Sequence, residues 1–266
     1  MIWAKQSILI FWLKEPMFKK YKIAFDLDDP RTTLAHRDII LGKKYLKRLY
    51  EDWYKSMFAE MGELSKGKVL EIGSGGGFLK ELYPQVITSD ILALPNVDKV
   101  FSAEELPFLD NELSAICMLN VFHHIPNPHN FLKEAQRSLV KGGKIVMIEP
   151  ANSALGRFIY KRFHHEPFDE KGGREIQAGN PLSHSNQALP YIYFERDLEL
   201  FKKEYPQLRI VSVKYHSPLS YVISGGVSRS AMLPYFLYPV VKFKEWLLSP
   251  FSKQLGLFCT VVIEKV

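Results

Sequence analysis

The chain has 266 residues, 47 % hydrophobic and 24 % charged, which excludes a disordered or low-complexity protein and leaves room for one large α/β domain or two smaller ones. Its formal charge of +6 comes from basic residues spread along the chain, with clusters at Lys19, Lys20 and Lys22 and at Lys43, Lys44, Lys47 and Arg48. These read as solvated helix faces, and with no RNA-binding module or basic aromatic stripe in view a nucleic-acid partner is not expected.

No run of about 18 apolar residues occurs, so no membrane-spanning helix is expected and a cytoplasmic protein is. Residues 7–13 are apolar but short, and Lys14 and Glu15 follow without a small-residue cleavage site. They read as a helix packed on the body, or lying on a membrane surface, rather than a signal peptide. Asp26, Asp28 and Asp29 ahead of Pro30 mark a turn and a helix start, with no chemistry assigned. Leu46, Leu49, Trp53, Met57 and Met61 recur every three or four positions and predict one helix over 38–61, stopped by Gly62.

From Lys68 the pattern changes to short apolar strands alternating with helices. Strands are predicted at 69–72, 86–90, 99–102, 115–119 and 144–148, with helices near 78–83 and over 130–140, the second closed by Gly142 and Gly143. A helix over 195–205 and strands at 209–215 and 258–264 follow. Cys117 and Cys259 sit in two of these apolar runs and read as buried free thiols. Alternation of this kind implies a parallel sheet with helices on both faces. Residues 1–64 are read as an N-terminal helical extension and 65–266 as the α/β domain. Two irregular stretches, about 151–193 and 217–256, are long enough to serve as a lid or a binding wall.

The chemistry concentrates at the end of the first strand. Glycines at 73, 75, 76 and 77 join that strand to a helix, leaving backbone that a ligand can approach closely and a helix N-terminus that favours an anion. A dinucleotide fingerprint would need glycine at 78, where Phe78 stands. Asp90 closes the second strand, where a carboxylate can accept both hydroxyls of a ribose. With Glu71 ahead of the first glycine, the order acidic-x-G-x-G-x-G resembles motif I of the class I S-adenosylmethionine (SAM) dependent methyltransferases.

Three further segments carry the same resemblance, to methyltransferases of the ubiquinone/menaquinone-biosynthesis type. Ser102-Ala103-Glu104-Glu105-Leu106-Pro107-Phe108 is similar to the segment that lies along the adenine, with serine where aspartate is usual. Leu119-Asn120-Val121-Phe122-His123-His124-Ile125-Pro126 is similar to the run beside the methyl group, and Ser114 replaces an aspartate common just before it. Glu134 to Gly143 matches E-x-x-R-x-L-x-x-G-G, a structural segment. The resemblance spans about residues 68–150. It implies a Rossmann-like, mostly parallel sheet of seven strands, the last antiparallel, and SAM as cofactor. The cofactor residues it implies are Glu71, Gly73, Ser74, Gly75, Gly77, Asp90 and Ile91, then Ser102, Ala103, Glu104 and Asn120.

Methyl transfer is an in-line displacement, so alignment of the reactants supplies much of the rate. An alcohol acceptor also needs a base. His124 is the first candidate, His123 the second, and Glu149, at the carboxyl end of the fifth strand, is placed to position an acceptor hydroxyl. His164, His165, Glu166 and Asp169, with His184 nearby, read as an acceptor-binding lid. No metal is expected, because adjacent histidines rarely ligate one ion. Aromatic and aliphatic residues between Tyr221 and Leu247, with Lys242 and Lys244, read first as a second core patch and otherwise as a wall for an amphiphilic acceptor near a membrane. The leading function is methylation, favouring oxygen, of a small-molecule, lipid- or sugar-linked acceptor. An RNA methyltransferase and a non-catalytic SAM- or nucleotide-binding protein remain as alternatives.

Overall fold

The computed structural model describes residues 20–63 and 67–266; the apolar run 7–13 lies outside them. Two helices lead into the sheet, α1 (Pro30–Gly42) and α2 (Lys44–Met61). The single helix predicted over 38–61 is therefore split. Lys43 is extended at the break, and its Nζ donates to the carbonyls of Ser224, Gly226 and Arg229 at 2.5–2.7 Å. Three distant carbonyls hold the hinge residue, a cause no local pattern contains. Asp29 caps α1 by accepting the Arg31 N–H, as the helix-start reading expects.

The alternating unit follows: β1 (Lys68–Ile72), α3 (Leu79–Leu82), β2 (Ile87–Asp90), β3 (Lys99–Val100), β4 (Leu113–Leu119), α4 (Pro128–Ser138) and β5 (Leu139–Pro150). Then come α5 (Ala154–Phe163), the short α6 (Leu189–Tyr191) running into a wide turn at Ile192–Arg196, α7 (Leu198–Glu204), β6 (Leu208–His216), α8 (Ser220–Ser224), α9 (Tyr238–Leu247), α10 (Ser252–Leu255) and β7 (Phe258–Lys265). The strands form one seven-stranded sheet in the order β3-β2-β1-β4-β5-β7-β6. Pairing is parallel from β3 to β5, and β7 runs antiparallel to both β5 and β6.

Period-two alternation divides the core in two. Leu70, Ile72, Ile116, Met118, Ile145 and Met147 face one layer, with Phe131, Leu132 and Ala135 of α4. Val69, Ala115, Cys117, Val146, Ile148 and Val262 face the other, covered by Leu46, Leu49, Trp53 and Met57 of α2. The stripe read from α2 thus packs on the sheet. Both cysteines are buried and free.

Some predicted details differ. The helix over 130–140 runs instead from Pro128 to Ser138, capped by Asn127, and Gly142 and Gly143 lie within the long β5 rather than at the helix end. Stretches read as irregular hold α5, α8, α9 and α10. Within α9, Tyr238 and Val241 join the core, while Phe243 and Trp246 stay 58 % and 67 % exposed, so the core-patch reading covers one face of that helix only.

Gly73 has φ +71, and a Cβ there would stand 2.3 Å from Val121 Cγ2. Gly73→Ala is expected to lower stability by at least about 1–3 kcal/mol, the usual cost of such a backbone, read as a drop in denaturant midpoint.

Candidate active site

The carboxyl ends of β1, β2, β4 and β5 open onto a cavity of about 330 Å³. That is the expected place for a ligand in a sheet of this kind. Glu71, Gly73, Gly77, Asp90 and Ile91 line one side. Ser102, Ala103, Asn120, His123 and His124 line another.

Glu71 is buried at the end of β1, and its Oε2 has no hydrogen-bond partner among the described residues. Burial raises its carboxyl pKa to about 7. Asp90 accepts the Gly75 N–H at 3.0 Å and the Leu92 N–H at 2.9 Å. Burial raises its pKa, against the pull of those backbone bonds. Two backbone contacts leave lone pairs on this carboxylate for a ligand. Asn120 sits at φ +57, a backbone that few residues adopt outside functional turns, and its Oδ1 is buried without a partner among the described residues. Unpartnered oxygens of Glu71 and Asn120 facing one cavity are what a cationic, hydrogen-bonding ligand would satisfy.

Four predicted site residues do not reach the cavity. Ser74 is turned into the β1–β2 junction, where its Oγ accepts the Ser89 N–H. Gly75 meets protein instead of ligand: a Cβ there would crowd Leu94, Thr33 and Asp90. Glu104 accepts N–H groups from Asn127 and Asn130 and so fastens the 102–108 segment to α4. Glu149 is fully buried; its Oε1 accepts the Val121 and Phe122 N–H groups at 2.9 and 2.8 Å, and its Oε2 lies 2.6 Å from His123 Nδ1. With its bonding capacity turned inward, Glu149 positions His123 rather than an acceptor hydroxyl.

The histidine end is the electrostatic centre. Burial pulls His123 down, but the carboxylates of Glu149 and Glu166 outweigh it and raise its pKa to about 9. Burial and the neighbouring His123 hold His124 at about 4. Burial acts to raise Glu166, yet the facing His123 imidazole and the other histidines around it bring it to about 2. At neutral pH the cluster therefore places an uncharged imidazole, His124, beside an ion-paired one.

Residues outside the motifs complete the walls. Thr33, His36 and Ile40 of α1 and Tyr50 and Tyr54 of α2 line the cavity from above β1. Their helical spacing gave no sign of this, because they interleave with the core stripe. His164, His165 and Glu166 line the cavity from the 151–193 stretch. Asp28 accepts the Leu182 N–H at 2.7 Å and the Ser183 N–H at 3.2 Å, and so ties that stretch to the segment ahead of α1. Asp169 bonds Lys171 and Asn186 locally and stays outside the cavity. Glu134 and Arg137 have the structural role expected: Arg137 donates to the Leu106 and Phe108 carbonyls, and Glu134 accepts the Leu106 N–H. The Ser114 hydroxyl donates to the Lys68 carbonyl.

The family model described as a methyltransferase domain matches residues 43–199, more than half of the chain. An uncharacterized protein of Methanocaldococcus jannaschii, MJ1123, is 31 % identical over 136 residues, which cover 45 % of this chain and 66 % of that protein, just short of two thirds of its length. A chain from the complex between the Haloferax volcanii Trm112 methyltransferase activator and its methyltransferase partner has a similar fold, with TM-score 0.54 and 12 % identity over 92 % of this chain and 99 % of that one. The geranyl diphosphate C-methyltransferase of Streptomyces coelicolor A3(2) aligns at 12 % identity and TM-score 0.47 over 98 % of each chain. By its sequence match and its seven-stranded sheet, this chain belongs to the class I methyltransferases, enzymes whose methyl donor is S-adenosylmethionine.

Proposed function

We propose that SAM lies along the ends of β1 and β2 and that an oxygen-bearing acceptor, a small molecule or a lipid- or sugar-linked metabolite, meets it at the histidine end of the same cavity. The observation that carries this reading is the division of one cavity into a carboxylate side, Glu71 and Asp90, and a histidine side, His123 and His124. Glu71 is suited to the ammonium group of the cofactor, Asp90 to its ribose hydroxyls, and Ile91, Ser102 and Ala103 to the flanks of its adenine. When bound, the cofactor supplies a methyl carbon made electrophilic by the sulfonium beside it. The chain's own part is to align, to exclude water and to manage one proton. His124 is uncharged and takes the acceptor's hydroxyl proton, and Glu166 beside it steadies the imidazolium so formed. The helical stretch before residue 65 contributes a wall of the cofactor site rather than a separate activity. The exposed face of Phe236, Phe243 and Trp246 with Lys244 supports an amphiphilic acceptor approached from a membrane surface.

The direct test is mass spectrometry of cell extracts incubated with the protein and methyl-labelled SAM, which identifies the product. His124→Ala is expected to slow transfer by about 10²–10⁴-fold while leaving SAM affinity intact. A parental rate would make His124 structural.

The Glu71 assignment carries its own pH signature. A carboxyl with pKa about 7 binds a cation only once deprotonated. SAM affinity should therefore tighten as pH rises from about 6 to 7.5, before the cofactor's amine titrates near about 7.7–8.0. Calorimetric titration of Glu71→Gln should show a weaker, flat profile over that range.

A further inference from the structure

Five of the chain's eight histidines line the cavity, and four of them, His123, His124, His164 and His165, bring a ring nitrogen within 3.7 Å of the Glu166 carboxylate, the first two most closely. His123 Nε2 lies 3.4 Å from Glu166 Oε2, and His124 Nε2 lies 3.6 Å from Glu166 Oε1. Both separations are longer than a well-formed hydrogen bond of about 2.7–3.2 Å. Each falls near the spacing of atoms that share an ion, about 3.3–3.6 Å when each is about 2.0–2.2 Å from it, with one imidazole facing each carboxylate oxygen. The three ligand atoms all fall within 4.8 Å of one another.

The far side of each ring is equally telling. His123 Nδ1 is held by Glu149 at 2.6 Å, and His124 Nδ1 faces the His184 carbonyl at 3.3 Å. An imidazole whose Nδ1–H is bound to a carboxylate or a backbone carbonyl has a fixed tautomer, with the Nε2 lone pair left for a metal. The tight turn Phe122–His124 allows neighbours in sequence to do this together. It sets the two rings 4.3 Å apart and tilted by 41°, against the expectation that adjacent histidines do not share an ion.

We propose that His123 Nε2, His124 Nε2 and the Glu166 carboxylate bind a divalent transition-metal ion of the zinc type, with its remaining position open to the cavity. Two imidazoles and a carboxylate suit zinc and other late first-row ions, and a three-ligand set leaves a place for an exogenous oxygen. The proposal deepens the reading above and rests on it for what fills that place, an oxygen of the acceptor. In the ion-free protein His124 is the base. With the ion bound its Nε2 is a ligand and the acceptor oxygen would meet the ion instead, its hydroxyl proton, made more acidic by the ion, passing to water in the open cavity.

The test uses the full chain, treated with chelator and freed of small molecules by gel filtration, then titrated with Co²⁺ while its visible spectrum is followed. One Co²⁺ per chain with the strong absorption of four-coordinate cobalt, displaced by Zn²⁺, is the expected result. Glu149→Gln, which disturbs only the positioning of His123, should weaken uptake by about 10–100-fold. Glu166→Gln and His124→Asn remove a ligand each and should weaken it further, with SAM affinity of Glu166→Gln unchanged by calorimetry. His129→Ala, remote from the cluster and bonded to Tyr205, should keep parental uptake. A protein that binds SAM and gives no such spectrum overturns the proposal. So does a spectrum that Glu166→Gln and His124→Asn leave unaltered, which would place the ion on surface histidines. Uptake that these variants abolish, in a protein that does not bind SAM, would sustain the metal site and remove the cofactor assignment.

Discussion

Replacing Asp90 by alanine is expected to weaken SAM binding by more than about tenfold, since a hydrogen bond to a charged group contributes about 1.5–3 kcal/mol. The carboxylate closes β2 and stands over the glycine turn, lining the cavity while it accepts the Gly75 and Leu92 N–H groups. Alanine therefore removes the proposed ligand contact and two backbone anchors at once. The anchors must be separated from the contact. Thermal unfolding reports them, because two N–H groups lose their acceptor in a buried turn. Asp90→Asn preserves the shape and one acceptor oxygen, so it keeps one of the two anchors, should fall between the parent and Asp90→Ala in stability, and should still bind SAM more weakly. Calorimetric titration of both variants decides the matter. Parental affinity in Asp90→Ala would remove the ribose assignment, whatever the stability change.

Glu149→Ala should cost the most stability of any single change considered. The side chain is fully buried, ties down two backbone N–H groups and pairs with His123. Removing one member of a buried pair leaves the other uncompensated, at about 3–5 kcal/mol. For a domain of this size that corresponds to a fall of roughly 6–20 °C in melting temperature. The pH dependence has a definite sign in chelator-treated protein. His123 has a folded pKa of about 9, above its ordinary 6.5, so the folded state holds the extra proton. The stabilisation is complete below about 6.5 and disappears as pH rises through about 9. The difference between parent and Glu149→Ala should accordingly be widest near pH 6 and narrow toward pH 9, leaving a remainder from the two N–H groups. A difference that does not vary with pH would show that His123 carries no added proton.

These cases mark how far a sequence can be read. Glu71, the glycines after it and Asp90 were legible because a strand end, a tight turn and the next strand end are close in sequence and each constrains residue type locally. The alternating apolar runs made the sheet legible for the same reason: side chains on successive residues face opposite layers. Ser74 and Glu104 were misplaced because a polar residue inside a motif serves a ligand in one geometry and a neighbouring N–H in another. Lys43 shows the limit most clearly, since the carbonyls that hold it come from Ser224, Gly226 and Arg229.

The sequence by itself determined the alternating strands and helices of the fold class, because periodicity and short-range spacing are properties of the chain alone, and the resemblance of its motifs pointed to the cofactor. Only the tertiary structure decided that Glu149 turns inward, that helices before residue 65 wall the cavity, and that Glu166 arrives from a separate segment to face both His123 and His124. The direction a buried carboxylate faces follows from which donors the packing brings to it. Those donors come from segments far apart along the chain, where no local pattern records the meeting.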